Sequence, residues 1–130
     1  MEQSNYNSEL DSMYAAYKQE FENVHTVYEP GRGFANFKLE KNLDQSIEIY
    51  VQEVYVKPHK RGKKTAAELT DYCIAEAELI YDKPVSKIYT TVGIGGNTVD
   101  ASLRAITAYG FKLLSSNSEL IYFYKEITNE

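Results

Sequence analysis

The stretch Ser46-Ile47-Glu48-Ile49-Tyr50-Val51-Gln52-Glu53-Val54-Tyr55-Val56-Lys57-Pro58-His59-Lys60-Arg61-Gly62-Lys63-Lys64-Thr65-Ala66 decides the fold. Its first half, Ser46 to Lys57, is the strongest strand of the chain. Ile47, Ile49 and Val51 alternate with Glu48, Tyr50 and Gln52 at the period of two that a strand imposes. Past Gln52 the apolar set moves from odd to even numbers, to Val54 and Val56. A one-residue change of phase inside a long strand is what a β-bulge produces, although burial on both faces would leave the same trace. The second half is a loop that enters a helix. Lys57, Lys60, Arg61, Lys63 and Lys64 are five of the chain's 14 basic residues, in a protein of net charge −5. A helix start offers unpaired N–H groups and the positive end of the helix dipole, so a basic, glycine-containing loop at this point reads as a site for a phosphate-bearing ligand. Charge alone allows a solvated basic turn equally well.

Working outward, Ser8-Glu9-Leu10-Asp11 has the form of a capping box, and Leu10, Met13, Tyr14, Tyr17 and Phe21 recur at helical spacing, which predicts a helix over 9–22. Residues 24–40 read as a hairpin, with strands over 24–28 and 34–40 about the turn Glu29-Pro30-Gly31-Arg32-Gly33. A helix is expected over 63–81, with Ala66, Leu69, Cys73, Ala77 and Ile80 as its buried stripe. A strand over 87–92 follows. A second helix opens near Asn97 or Thr98, carries Val99, Leu103 and Ile106 on its apolar face and stops at Gly110. Strands over 111–114 and 118–127 close the chain. No linker, repeat or low-complexity segment interrupts this order, so residues 1–130 are expected to form one mixed α/β domain around a central sheet.

Composition narrows the function. Apolar content of 43 % and charged content of 25 % are ordinary globular values. No apolar run approaches the ~20 residues of a membrane span, and the polar N-terminus lacks a secretory signal, so the expected compartment is the cytoplasm. The single cysteine, Cys73, excludes an intrachain disulfide and a cysteine-rich zinc site, and its place on an apolar stripe marks it as a core residue. His25 and His59 lack metal-ligand spacing and are expected at the surface; no metal is expected. Net acidity argues against a general nucleic-acid binder and fits a cationic partner, such as an amine or a lysine-bearing protein.

The order of elements, with a basic loop between the third strand and its helix, resembles the Gcn5-related N-acetyltransferase (GNAT) family over residues 24–127. The segment Tyr50 to Gly62 is similar to the family's strand end and its Arg-Gly turn. Ala108-Tyr109-Gly110-Phe111 is similar to the Gly-Phe that closes the family's last helix, and Asn97 is a weaker marker. The resemblance implies an acyl-CoA N-acyltransferase fold with a mostly antiparallel sheet and a splayed, bulged strand. It implies binding of acetyl-coenzyme A, with no metal. The pantetheine arm would pair with the backbone of Val54, Tyr55 and Val56, and the pyrophosphate would lie on the loop formed by Arg61, Gly62, Lys63, Lys64, Thr65 and Ala66. The family's loop pattern is Gln/Arg-x-x-Gly-x-Gly/Ala. Arg61 and Ala66 match its ends, whereas Lys64 stands where the family has its middle glycine. That substitution is harmless if the position has an ordinary helical φ and harmful if it needs a positive one.

For chemistry, an amine must lose a proton before it attacks, since a free lysine has a pKa near ~10.4. The resemblance points to Glu53, beside the expected bulge, as the base; Glu48 is the second candidate, and Gln52 cannot serve. A wet strand carboxylate is the other reading of Glu53. Ile106 stands where relatives usually carry the acid tyrosine. Tyr109 is close by and is the candidate acid, with packing as its alternative role. Asn97 either contacts the cofactor or caps its helix. Tyr122 and Tyr124 are candidates for lining an acceptor pocket. The expected function is transfer of acetyl to a primary amine, on a small molecule or a protein lysine. The alternative is a binding or regulatory protein that keeps the fold without the chemistry. Family habit and the tyrosine-rich strands are compatible with a homodimer.

Overall fold

The computed structural model describes residues 24–41, 44, 46–61, 64–95 and 99–127. The helix expected over 9–22, and Gly62, Lys63 and Asn97, lie outside the described residues. The elements are β1 (His25–Glu29), β2 (Gly33–Lys41), β3 (Ile47–Val56), a 3₁₀ turn (Pro58–Lys60), α1 (Thr65–Tyr81), β4 (Val85–Gly93), α2 (Val99–Tyr109), β5 (Lys112–Ser116) and β6 (Leu120–Glu126). The strands form one six-stranded sheet in the order β1-β2-β3-β4-β6-β5. Only β3 and β4, joined through α1, run parallel; every other neighbouring pair is antiparallel.

The β1–β2 hairpin closes through Arg32 N–H donating to Glu29 O at 3.1 Å, with Gly31 at φ +83°. Gly33, at φ +156°, is required for a different reason. A Cβ there would lie 1.9 Å from the Tyr55 carbonyl oxygen of β3, so only a residue without a side chain lets the two strands meet. The change of phase read in β3 is a bulge. Asn36 pairs with Glu53 and Phe37 with Val51, which leaves Gln52 as the extra residue. Ile47, Ile49 and Val51 before it, and Val56 after it, are buried.

Both helices cover the same sheet face. Leu69, Cys73 and Ala77 of α1 are fully buried against Phe37, Ile49 and Ile88, and Val99, Leu103 and Ile106 of α2 pack onto the edge of this cluster. Two expectations need correction. Ile80 is exposed (44 %), because the buried row continues at a spacing of four residues, 69-73-77-81, and ends on Tyr81. His25 is half-buried rather than a surface residue. It stacks on Phe37 with ring centroids 5.3 Å apart, and its Nε2 lies 3.1 Å from the Tyr81 hydroxyl, which ties β1 to the end of α1. The α2 stop at Gly110 is as read, with φ +109°.

Candidate active site

The parallel pair β3–β4 is short. Residues Ile47–Val51 pair with Val85–Thr90, and beyond this point β3 runs on to Val56 and β4 to Gly93 with no pairing between them. The divergence begins at the Gln52 bulge, where extra backbone bends the strand. A cavity of about 390 Å³ opens there, walled by Val51–Val54 of β3, Thr90–Gly93 of β4, Ala66, Ala67 and Thr70 of α1, and Val99, Ser102, Ala105, Ile106 and Tyr109 of α2. The wall is mostly apolar; its polar residues are three threonines, a serine, Gln52, Glu53 and Tyr109.

The start of α1 forms the cavity's border at Ala66. The first helical bond is Glu68 N–H to Lys64 O at 3.0 Å, and no side chain caps the helix. The N–H groups of Thr65, Ala66 and Ala67 therefore face the helix start with no intrahelical acceptor. Lys64, the residue before them, has φ +61° and ψ +14°, the left-handed conformation that favours glycine, so of the two cases weighed for the replaced glycine the structure shows the unfavourable one. The loop is fixed from behind. Arg61 Nε donates to Val56 O at 2.9 Å, and the buried Thr65 hydroxyl donates to Lys60 O at 2.9 Å. Arg32 reaches the same corner, pairing with Glu29 at 2.9 Å and with Glu68 of α1, and donating to Thr65 Oγ1 at 3.4 Å. These two carboxylates hold the Arg32 pKa above its ordinary value through their hydrogen bonds. Lys64 and Arg61 are exposed at the helix start, whereas the charge of Arg32 is taken up by Glu29 and Glu68.

Glu53 sits at the opposite border, directly after the bulge. Its side chain reaches solvent, yet the surrounding protein raises its carboxyl pKa by desolvation. On the sheet face away from the helices, a second cavity of about 260 Å³ is lined by Glu40, Glu48, Tyr50, Tyr89, Tyr122 and neighbouring residues. There the Tyr89 hydroxyl donates to Glu48 Oε1 at 2.8 Å, and its pKa is pushed up to about 12 by burial and then by Glu48 and Glu40.

No protein-family model and no curated protein matches the sequence. Solved structures do match in shape. The chain is similar to a Gcn5-related N-acetyltransferase from Elizabethkingia anophelis with acetyl-CoA bound (13 % identity, TM-score 0.60, covering 87 % of this chain and 82 % of that one). It is similar to the PaiA N-acetyltransferase of Thermoplasma acidophilum in complex with coenzyme A (18 % identity, TM-score 0.61, 86 % of this chain and 66 % of that one). It is also similar to Arabidopsis thaliana Naa50 in complex with a CoA–peptide bisubstrate analogue (14 % identity, TM-score 0.57, 74 % of this chain). This chain spans 66 % of the length of the Naa50 chain. The chain has the GNAT fold.

Within the GNAT fold the expected site residues separate into groups. Glu53, Val54, Ala66 and Tyr109 line the 390 Å³ cavity, which the sheet and both helices bring together. Tyr55 and Val56 lie farther along the splayed β3, and Arg61, Lys64 and Thr65 build the corner at the α1 start rather than the cavity wall. Tyr122 lines the second cavity and Tyr124 does not. Tyr109 is engaged elsewhere than in the cleft. Its hydroxyl donates to Asp71 Oδ1 of α1 at 2.6 Å, its ring lies under Lys125 Nζ at 4.3 Å, and burial, followed by the Asp71 bond, raises its pKa. Ile106, at the family's usual acid position, presents an apolar side chain to the cavity. The sequence did not single out Thr70, Thr90, Thr91 and Ser102, which also line the cavity; the Thr70 and Thr90 hydroxyls donate to Ala66 O and Val51 O, and Thr91 Oγ1 bonds with the Tyr50 hydroxyl. Each sits within an otherwise unremarked helix or strand pattern, and the only available signal was a hydroxyl amid apolar residues near the splay.

Proposed function

We propose that this chain transfers an acetyl group from acetyl-coenzyme A to a primary amine, on a small molecule or a protein lysine, by direct attack in a ternary complex. The observation that carries the proposal is the splay itself: β3 and β4 part at the Gln52 bulge, a cavity opens between them, and Glu53 stands at its rim. The structurally similar proteins include chains crystallised with coenzyme A or acetyl-CoA, which supports the choice of donor.

The residues present fit that donor except at Lys64, which holds a positive φ where the family pattern has glycine. The unpaired β3 edge offers backbone at Val54, Tyr55 and Val56 to an amide-bearing arm. The helix start at Thr65–Ala67 offers three N–H groups to a pyrophosphate, with Arg61, Gly62, Lys63 and Lys64 leading into it and Lys60 adding charge. When bound, the donor supplies a thioester. Glu53 takes the proton from the acceptor ammonium, and its raised pKa brings it closer to the working pH that a general base needs. N–H groups on the splayed edge of β3 would stabilise the charge that develops on the thioester oxygen. Tyr109 is the acid candidate on the cavity wall and would have to exchange Asp71 for the leaving sulfur. The carboxylates and tyrosine faces of the second cavity suit a cationic acceptor.

A second reading, a binding protein of the same fold without chemistry, draws on Ile106 at the acid position and on the bond that occupies Tyr109. Isothermal titration of the full chain with acetyl-CoA, with coenzyme A as control, followed by turnover on an amine panel, separates the two. The expected result is micromolar binding and acetylation that Glu53→Gln removes. Binding without turnover would favour the second reading, and a folded protein that binds neither ligand would overturn the first.

A further inference from the structure

The bulge leaves two groups of opposite hydrogen-bonding kind facing each other across β2 and β3. Asn36 is fully buried, and its Nδ2 has no hydrogen-bond partner. The Thr26 hydroxyl of β1 donates to Asn36 Oδ1 at 2.7 Å, which holds the amide by its oxygen and leaves Nδ2 as the unused end. Register pairs Thr26 with Asn36 and Asn36 with Glu53, so the three residues form a row on the sheet face away from the helices. Directly paired residues bring their Cβ atoms to within about 5 Å, the reach of one amide and one carboxylate. Glu53 has no hydrogen bond or ion pair among the described residues, and desolvation alone shifts its pKa. A buried donor without an acceptor is costly; the residue opposite it by register, Glu53, is an acceptor without a donor, as is the buried Oε1 of Gln52 in the bulge next to it.

We propose that Asn36 is the positioning residue for Glu53: once Glu53 ionises, its carboxylate accepts the Asn36 Nδ2–H, and the Thr26–Asn36–Glu53 row aims the carboxylate at the splay. This deepens the acetyltransferase reading, in which Glu53 is the base, but the bond itself exists or fails independently of any activity. Around Glu53 on this face, register places Lys38 of β2, Tyr50 and Tyr55 of β3 and Tyr28 of β1. Opposite-charge pairing is not what holds the carboxylate, since none of these exerts a resolved Coulombic effect on it.

The test is a nuclear magnetic resonance titration of the full-length protein, following the Glu53 carboxyl carbon and the Asn36 side-chain amide protons. The amide protons are expected to shift with the midpoint of Glu53 and to stay flat in Glu53→Gln. Asn36→Leu, which removes the donor at similar volume, is expected to raise the Glu53 midpoint by about one pH unit, the size expected for losing one hydrogen bond to a charged group. Thr26→Val, which frees the amide but keeps it, is expected to raise the midpoint less and serves if Asn36→Leu does not fold. Amide protons that ignore Glu53 would overturn the proposal. With an acceptor in hand, the acid limb of kcat/KM is expected to move with the same midpoint while acetyl-CoA affinity holds. A protein with the coupled titration but no acetyl transfer would sink the enzyme reading and leave the Asn36–Glu53 bond standing.

Discussion

Two residues carry most of what is unusual in this site. Glu53 has a carboxyl pKa raised by desolvation, so the folded state holds its proton more tightly than the unfolded chain, whose value is near ~4.3. The sign follows from linkage. Stability falls as pH rises from the unfolded value through the folded one, and stays reduced above it. Glu53→Gln is therefore expected to match the parent protein in acid and to exceed it in stability at neutral pH, as denaturant melts at the two pH values would show. With Glu53 as the base of the proposed reaction, a pH–rate profile is expected to put the acid limb of kcat/KM above the ordinary glutamate range. Lys64 is the second residue. A left-handed conformation costs a non-glycine residue ~1–2 kcal/mol, whereas glycine costs ~0.5–1 kcal/mol in added chain entropy, so Lys64→Gly is expected to stabilise the fold by up to ~1 kcal/mol while retaining acetyl-CoA binding. Loss of binding in that variant would assign the lysine charge, rather than the backbone, to the phosphates. The family resemblance pointed to a replaced glycine, but φ at that position depends on how Thr65 and Arg61 pin the loop from behind, which no local pattern records.

Among the elements, β3 couples sequence to site. Its apolar residues change parity once, and the structure places the extra residue at Gln52, with Glu53 and Val51 back in register on either side. Deleting Gln52 leaves each flanking residue on its present face while removing the bend. The variant is expected to fold, by circular dichroism and melting, and to lose acetyl-CoA affinity by on the order of tenfold or more, at least ~1.4 kcal/mol in binding. Unchanged affinity would mean that the splay has another cause. The bulge was legible because a strand's period of two is strict. The Asn36–Glu53 pairing was not, since Asn36 lies between Phe34, Ala35 and Phe37 and nothing in that run marks a functional polar group. The α1 row was legible to Ala77 and misread at Ile80, because periods of three and four residues both fit a helix and packing beneath β1 selects Tyr81.

At the scale of the whole molecule, one sheet separates two chemistries: helices and the 390 Å³ cleft on one face, and carboxylates with tyrosines on the other. Cys73 lies at the centre of the helical face, fully buried, with its thiol pKa pushed up to about 12 by burial and, next, by Glu76. It is expected to resist thiol reagents in the native protein and to react fully in denaturant; rapid native labelling would mean that α1 opens from the sheet. Among the described residues, strand and helix identities, the bulge, the basic helix entry and the acidic residue beside the bulge were written in local sequence, because periodicity acts over a few residues. The parallel β3–β4 contact, its end at Val51 and Thr90, and the insertion of β6 between β4 and β5 were decided by tertiary structure. So were the diversion of Tyr109 to Asp71 and the meeting of Asn36 with Glu53. These depend on which distant segments share a face, and side-chain periodicity along one segment says which face is buried without saying what lies against it.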